Sequence, residues 1–499
     1  MLAHLSAAAG QVFDLYVLTV IFASAIFGLF VGAVPGLTAT MATALLVPVT
    51  FFMPPVPAIA AIVTATAMAI FSGDIPGCLL RIPGTPASAA YTDEAYNMTK
   101  KGQAEVALGA GLVFSAVGGL FGTLVLITSA PMLAEWAIRF SDFEYFWLVL
   151  LGLTCAIFIA SGDPVKGFVS LFLGLLIASI GVGNPAGHPR FTFGQPNLLS
   201  GISLVPMMVG MFAVSEVLRY AINSKQQLVV AQAKIGNVFK GMWELTVKYP
   251  KSILRGSALG TLVGALPGAG ADIAAWMSYG MSKKFSKEPE KFGTGHPEGI
   301  VESGAANNSA VAGAWIPALV FGIPGDSITA IVIGVLYMKN LNPGPTIFIN
   351  NPVAIYAIFM VFILANLLMI PLGFLAIKAA KRILQVPRNI LMPLILIFCI
   401  VGSYAINNSV FDVGVMLLFG LLAYLMEENG FPVAPTILGV VLGGMLEENF
   451  IKAMIKSDGS FAAFFNRPIA ATLAVITIAV WLSPLIIRLL RARRARQAP

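Results

Sequence analysis

Apolar stretches separated by short polar loops run the length of this chain, many approaching the ~20 residues that a helix needs to cross a hydrocarbon core. They lie near 12–34, 38–53, 56–72, 104–130, 143–161, 164–184 and 201–222. After a polar stretch from Asn223 to Lys251 they resume near 253–266, 270–282, 302–320, 351–377, 389–405, 408–426 and 432–448, with a last one at 469–490. Their pattern is mostly helical rather than alternating, so the chain reads as an all-α polytopic membrane protein and not a barrel. Several segments are too short to span and read as broken or re-entrant helices.

The second set repeats the first. Gly28-Leu29-Phe30-Val31-Gly32-Ala33-Val34-Pro35-Gly36 returns as Gly260-Thr261-Leu262-Val263-Gly264-Ala265-Leu266-Pro267-Gly268. Ile75 to Gly84, ending in Ile82-Pro83-Gly84, aligns without gaps with Ile316 to Gly325, ending in Ile323-Pro324-Gly325. The chain therefore divides into a first membrane repeat (1–222), a basic linker (223–252), a second repeat (253–448) and a C-terminal helix with an Arg-rich tail (449–499). Paired Gly/Pro-interrupted apolar segments are the sequence pointer to the substrate site of a secondary transporter, because broken helices expose backbone dipoles at membrane depth. The competing reading is close helix packing through the Gly-xxx-Gly pairs Gly28/Gly32 and Gly260/Gly264.

Composition agrees with the bilayer. Only 11% of residues are charged, against about 25% in soluble domains, and mean hydropathy is +0.88. Room remains for roughly a dozen crossings. The net charge of +7 resides in a few loops and the C-terminus, where topology explains it without nucleic acid. No Lys or Arg precedes Arg81, so the start lacks the basic region of a cleavable signal peptide and the first span is expected to be retained. The linker carries Lys225, Lys234, Lys240, Lys248 and Lys251 against Glu244, which places it in the cytoplasm. An odd number of segments per half then makes the repeats inverted, with the N-terminus periplasmic and the tail of Arg488, Arg491, Arg493, Arg494 and Arg496 cytoplasmic.

Pro35 and Pro267 should break their helices, and Gly36 and Gly268 free the backbone to turn. Helices then start at Leu37-Thr38-Ala39-Thr40 and at Ala269-Gly270-Ala271-Asp272, where free N–H groups and the hydroxyls of Thr38 and Thr40 could receive a carboxylate. Simple capping by the threonines competes. Asp74, Asp272 and Asp326 each flank a break, and an acid in apolar sequence is a functional candidate. Asp326 with Ser327, and Asn307, Asn308 and Ser309 upstream, offer hard oxygens suited to Na⁺ rather than a transition metal. Candidate anion contacts are Pro35, Gly36, Thr38, Thr40, Pro83, Gly84, Thr85, Pro267, Gly268, Gly270, Asn307, Asn308, Pro324 and Gly325. Candidate cation ligands are Asp272, Asn308, Ser309, Asp326 and Ser327. Asp93-Glu94 reads as a solvated loop, and Trp136, Phe143, Tyr145, Phe146 and Trp147 as an interfacial belt. Cys78, Cys155 and Cys399 read as packed thiols, and His4, His188 and His296 are too scattered for a metal site.

Neither His-Glu-x-x-His nor Gly-x-x-x-x-Gly-Lys-Ser/Thr occurs, which disfavours a metalloprotease and a self-contained ATP-driven pump. Gly268-Ala269-Gly270-Ala271-Asp272 sets its aspartate one residue too far for the Gly-x-Gly-Asp of intramembrane aspartyl proteases, and a Tyr-Asp partner is missing. That hydrolase and a channel stay as alternatives to a transporter, which would be no enzyme.

The duplicated Gly-xxx-Gly-x-x-Pro-Gly, the Ile82-Pro83-Gly84-Thr85-Pro86 run and Gly304-Ala305-Ala306-Asn307-Asn308 together resemble the large membrane subunit of the tripartite tricarboxylate transporters, over essentially the whole chain. The resemblance implies a bacterial inner-membrane permease that works with a small membrane subunit and a periplasmic binding protein. Such a permease imports carboxylates, citrate and other di- and tricarboxylates among them, with a Na⁺ or H⁺ gradient and no other cofactor. It leaves the oligomeric state open, a homo-oligomer included. Where the second half has Pro267-Gly268-x-Gly270 the first has Thr38 in place of the last glycine, so one site is expected to hold the anion and the other the ion.

Overall fold

A computed structural model describes residues 2–160, 163–183, 187–223 and 236–497. Lys225 and Lys234 of the basic linker lie outside the described residues, as do the side chains of the arginine tail. The described chain is helical, and its seven helices long and apolar enough to cross a membrane are Leu15–Ala33, Pro55–Leu80, Ala104–Ala137, Leu204–Ile222, Pro352–Ile383, Asn389–Asn407 and Val410–Glu428. Shorter apolar helices run Ala39–Phe51, Pro164–Ala178, Ser327–Met338 and Pro468–Leu482. Ser327–Met338 lies outside the apolar segments that the sequence marks. Its twelve residues begin after Pro324-Gly325 and the N-cap Asp326, so the apolar run is too short to register as a span.

Contacts group the chain into two units, residues 1–135 with 203–429 and residues 136–202 with 430–499. Within the larger unit, two helices are buried all round. They are Pro55–Ser72 with its short continuation Asp74–Leu80, and Pro297–Phe321. Each is gripped by a Gly-xxx-Gly helix. A Cβ on Gly28 would fall 2.3 Å from the Ala65 carbonyl oxygen, and one on Gly32 2.2 Å from that of Ala69. In the second half, Gly260 and Gly264 stand in the same relation to Ala306 and Ala310, at 2.3 and 2.2 Å. Only hydrogen fits at such separations, so the glycines set how closely these backbones approach. The Ala104–Ala137 helix closes on the other side in the same manner, with Gly118 against the Ala305 carbonyl and Gly122 against that of Ser309.

The smaller unit is built on Asp142–Ala160, Pro164–Ala178, Val433–Lys456 and Pro468–Gln497. Phe146 and Trp147 are not a lipid-facing belt there. They pack with Phe450 and Phe464, and the Trp147 indole donates to the Phe464 carbonyl at 3.0 Å. Trp136 is exposed.

Candidate functional site

The breaks fall where proline and glycine dictate. The Leu15–Ala33 helix stops before Pro35, Gly36 takes φ +89°, and Ala39–Phe51 begins behind Thr38. The Pro250–Gly264 helix likewise stops before Pro267, Gly268 takes φ +83°, and Gly270–Phe285 begins. The bonds through the two turns match, Leu37 N–H to Val34 and Ala269 N–H to Leu266, both at 3.1 Å.

The returning central helices also end alike. Asp74–Leu80 closes on Arg81 with φ +61°, and Pro297–Phe321 on Gly322 with φ +69°. The Pro-Gly pairs beyond these caps fold back onto the Gly-xxx-Gly helices. A Cβ on Gly84 would lie 2.6 Å from the Gly32 carbonyl oxygen, and one on Gly325 2.6 Å from that of Gly264. Each half thus brings its two Pro-Gly breaks together.

The halves meet through an acid. Asp272, on the first turn after the second-half break, lies beside the Ala87 backbone just past the Pro83-Gly84-Thr85-Pro86 segment and feels the charge of Asp326. Gly270 makes room, since a Cβ there would sit 2.7 Å from the Asp326 Cβ. Asp272 is exposed, whereas Asp326, Ser327, Gly36, Thr38, Thr40, Pro83, Pro267 and Gly268 are half-buried. Pro35, Gly84, Thr85, Gly270, Pro324 and Gly325 are buried. These residues offer a substrate half-open backbone turns, two helix starts and, on the second-half side, two carboxylates.

Several hydroxyls and acids have local duties. Thr38 accepts from the Met41 N–H at 3.1 Å and so caps its helix. Thr85 and Ser88 cap each other across one turn, through Thr85 N–H to Ser88 Oγ and Ser88 N–H to Thr85 Oγ1, both 3.2 Å. Asp326 forms a capping box with Thr329, accepting its N–H at 2.7 Å while the Asp326 N–H donates to Thr329 Oγ1 at 2.9 Å.

Asn307, Asn308 and Ser309 lie deep in the bundle, and none of their hydrogen bonds goes to Asp272 or Asp326. Asn307 donates to the Tyr91 hydroxyl at 3.2 Å, Asn308 to the Ala67 carbonyl at 3.4 Å, and Ser309 to Ala306 of its own helix. The candidate oxygen ligands therefore separate into a pair of acids, Asp272 exposed and Asp326 half-buried, and a buried amide group.

Two features escaped the sequence reading. Tyr91 is buried and donates to Asp74 Oδ1 at 2.6 Å, so a Tyr–Asp pair forms in space although the residues are not adjacent in sequence. Glu94 is no solvated loop residue. It is fully buried, accepting from the Tyr279 hydroxyl at 2.9 Å, from the N–H groups of Gly295 and His296 at 2.7 Å each, and from that of Gly293. Its neighbour Asp93 is exposed and pairs with Arg81 at 2.8 Å. A Glu–Arg pair, Glu302 with Arg255 on the Gly-xxx-Gly helix, is likewise anchored inside the second half.

Residues 18–438 match the family described as "Tripartite tricarboxylate transporter TctA family". A protein of Agrobacterium vitis described as "Uncharacterized 52.8 kDa protein in TAR-I ttuC' 3'region" is 34% identical over 476 residues, covering 95% of this chain and 94% of its own. Another from the same organism, "Uncharacterized protein in TAR-II ttuC' 3'region", is 38% identical over 214 residues, 43% of this chain and 88% of its own. No solved structure matches.

Proposed function

The chain belongs to the tripartite tricarboxylate transporter TctA family, and from that premise we propose that it is the large permease of a binding-protein-dependent secondary transporter, importing di- or tricarboxylates such as citrate with a Na⁺ or H⁺ gradient. Its partners in this reading are a small membrane subunit and a periplasmic substrate-binding protein. Its place is the bacterial inner membrane, with the C-terminus in the cytoplasm and the N-terminus outside.

The observation that supports this reading is the convergence of the Pro-Gly breaks. Gly84 is seated on Gly32, Gly325 is seated on Gly264, and Asp272 reaches across to Ala87. The two sides differ chemically. The first-half break presents the start of Ala39–Phe51 with Thr38 and Thr40 and no acid in its first turn, which suits an anion. The second-half break presents Asp272 and Asp326, which repel an anion and attract a cation. A substrate carboxylate and its co-transported cation then occupy adjoining sites, and each lowers the electrostatic cost of binding the other.

The nearness of Asp272 and Asp326 would also serve a two-carboxylate hydrolase. The capping box of Asp326 speaks for a different duty, because its Oδ1 is committed to the backbone and side chain of Thr329. The test is uptake of labelled citrate and a panel of other carboxylates into proteoliposomes holding this chain and its small subunit, with the binding protein outside, with and without an inward Na⁺ or H⁺ gradient. Uptake that needs gradient and binding protein together is the expected result. Uptake that ignores both gradients would replace the transporter with a channel.

A further inference from the structure

Asp74 sits where the long central helix of the first half is interrupted at Gly73, and it is 5% exposed. Its Oδ1 accepts from Tyr91, whose hydroxyl in turn accepts from the Asn307 amide. All three side chains are more than nine-tenths buried. The other carboxylate oxygen, Oδ2, is buried without a protein partner, and so is Asn307 Oδ1. Oδ2 faces the Ala104–Ala137 helix at Gly111, where a Cβ would come within 2.9 Å of it.

The charge here is unbalanced. Among the described residues no ion pair involves Asp74. The titratable groups that face it are Tyr91 and, one turn along its own helix, Cys78, whose thiol meets Thr99 and the Ala95 carbonyl. The Pro297–Phe321 helix contributes the neutral Asn307 and the Ala104–Ala137 helix contributes Gly111. A buried carboxylate served by one hydroxyl is costly, and the Asn307-to-Tyr91-to-Asp74 relay delivers its donor to Oδ1 alone. The missing positive charge belongs at Oδ2, and the unpartnered atoms of the cluster are hard oxygens.

The geometry points to Asp74 as the loading site of one monovalent cation, H⁺ or Na⁺, at Oδ2, separate from the Asp272/Asp326 pair. The assignment gives the cation-coupled reading above a second seat, and it rests on that reading for its purpose but not for its detection. Asp74 belongs to the first-half central helix and Asn307 to the second, with Tyr91 between them. Loading therefore neutralises the link that joins the two central helices, and unloading leaves a bare charge in it.

The test measures the unfolding midpoint of the full chain in lipid nanodiscs, without substrate or partners, so a failure to transport does not enter the result. Na⁺ is titrated against choline at constant ionic strength, at an acidic and an alkaline pH. If Na⁺ is the ligand, it raises the wild-type midpoint at alkaline pH, Asp74→Asn loses the response, and Asn307→Ala weakens the apparent affinity ~10-fold or more. If the proton is the ligand, Na⁺ has no effect, the wild-type midpoint falls as pH rises because the buried acid must ionise, and Asp74→Asn flattens that dependence. Should Asp74→Asn fail to fold, Tyr91→Phe keeps the packing and removes the Oδ1 donor, and its Na⁺ or pH response must shift. Wild-type Na⁺ and pH responses in Asp74→Asn, or in Tyr91→Phe where it is the variant that folds, would overturn the assignment.

Discussion

Glu94 of the first half accepts a hydrogen bond from the backbone N–H of His296 in the second, at 2.7 Å, and with its bonds to Gly293, Gly295 and Tyr279 it draws the 286–296 loop onto the Thr92–Lys100 helix. The arrangement is an anion nest filled by the protein's own carboxylate.

Removing that carboxylate leaves several backbone donors unmet at once. Glu94→Ala should destabilise the folded chain by about 3 kcal/mol, and Glu94→Gln by somewhat less, because the amide oxygen still accepts while its NH₂ opposes the remaining donors. Thermal unfolding in detergent measures both. A change within about 0.5 kcal/mol of wild type would mean that water replaces the clamp freely.

The paired glycines make a sharper prediction. Gly84→Ala and Gly325→Ala push a methyl to within 2.6 Å of the Gly32 and Gly264 carbonyl oxygens and against the Cα atoms of Gly73 and Ala314. These are backbone atoms that cannot rotate aside, so each variant should lose about 1–3 kcal/mol and most uptake. Gly280→Ala is the control. It lies on the exposed face of Gly270–Phe285 with nothing within 4 Å of the new methyl, and the helix should gain up to ~1 kcal/mol. Equal behaviour of Gly84→Ala and Gly280→Ala in the same unfolding assay would show that the break can relax.

The contrast between these positions explains what the sequence could reveal. Pro-Gly and Gly-xxx-Gly are written in consecutive residues, and the local geometry they encode, a positive φ at Gly36 and Gly268 and a close approach at Gly28 and Gly260, needs no knowledge of the rest of the fold. Glu94 and Tyr91 carry no such mark. An acid in a polar helix next to Asp93 has the composition of a solvated surface, and only the arrival of residues 293–296 buries it. Tyr91 becomes a partner of Asp74 because the chain turns back after the short helix Asp74–Leu80, which periodicity does not encode. Phe146 and Trp147 failed as belt residues for the related reason that their partners, Phe450 and Phe464, are distant in sequence.

Arg255 donates through Nε to Glu302 Oε1 at 2.7 Å and through Nη2 to Oε2, a two-point pairing with a fully buried carboxylate. Arg255→Ala strands that charge inside the bundle and should cost about 3–5 kcal/mol. Arg255→Lys keeps the charge but loses the fork, so it should recover only part of the loss. Full stability of Arg255→Ala in thermal unfolding would mean that Glu302 is neutral in the fold.

Asp326 separates structural from functional need most cleanly. As the N-cap of Ser327–Met338 it is replaceable by asparagine, whose side-chain oxygen can accept the Thr329 N–H, whereas alanine loses the cap at a cost of about 1 kcal/mol. If Asp326 serves only its helix, Asp326→Asn should fold and transport like wild type and Asp326→Ala should be mildly impaired in both. If its charge helps to hold the co-transported cation beside Asp272, Asp326→Asn should keep wild-type stability and membrane insertion yet lose gradient-driven uptake, and Asp272→Asn should do the same. The cation reading expects the second pattern. The decisive comparison is uptake against unfolding midpoint in the Asp326→Asn variant, because the asparagine leaves the cap intact and changes little but the charge.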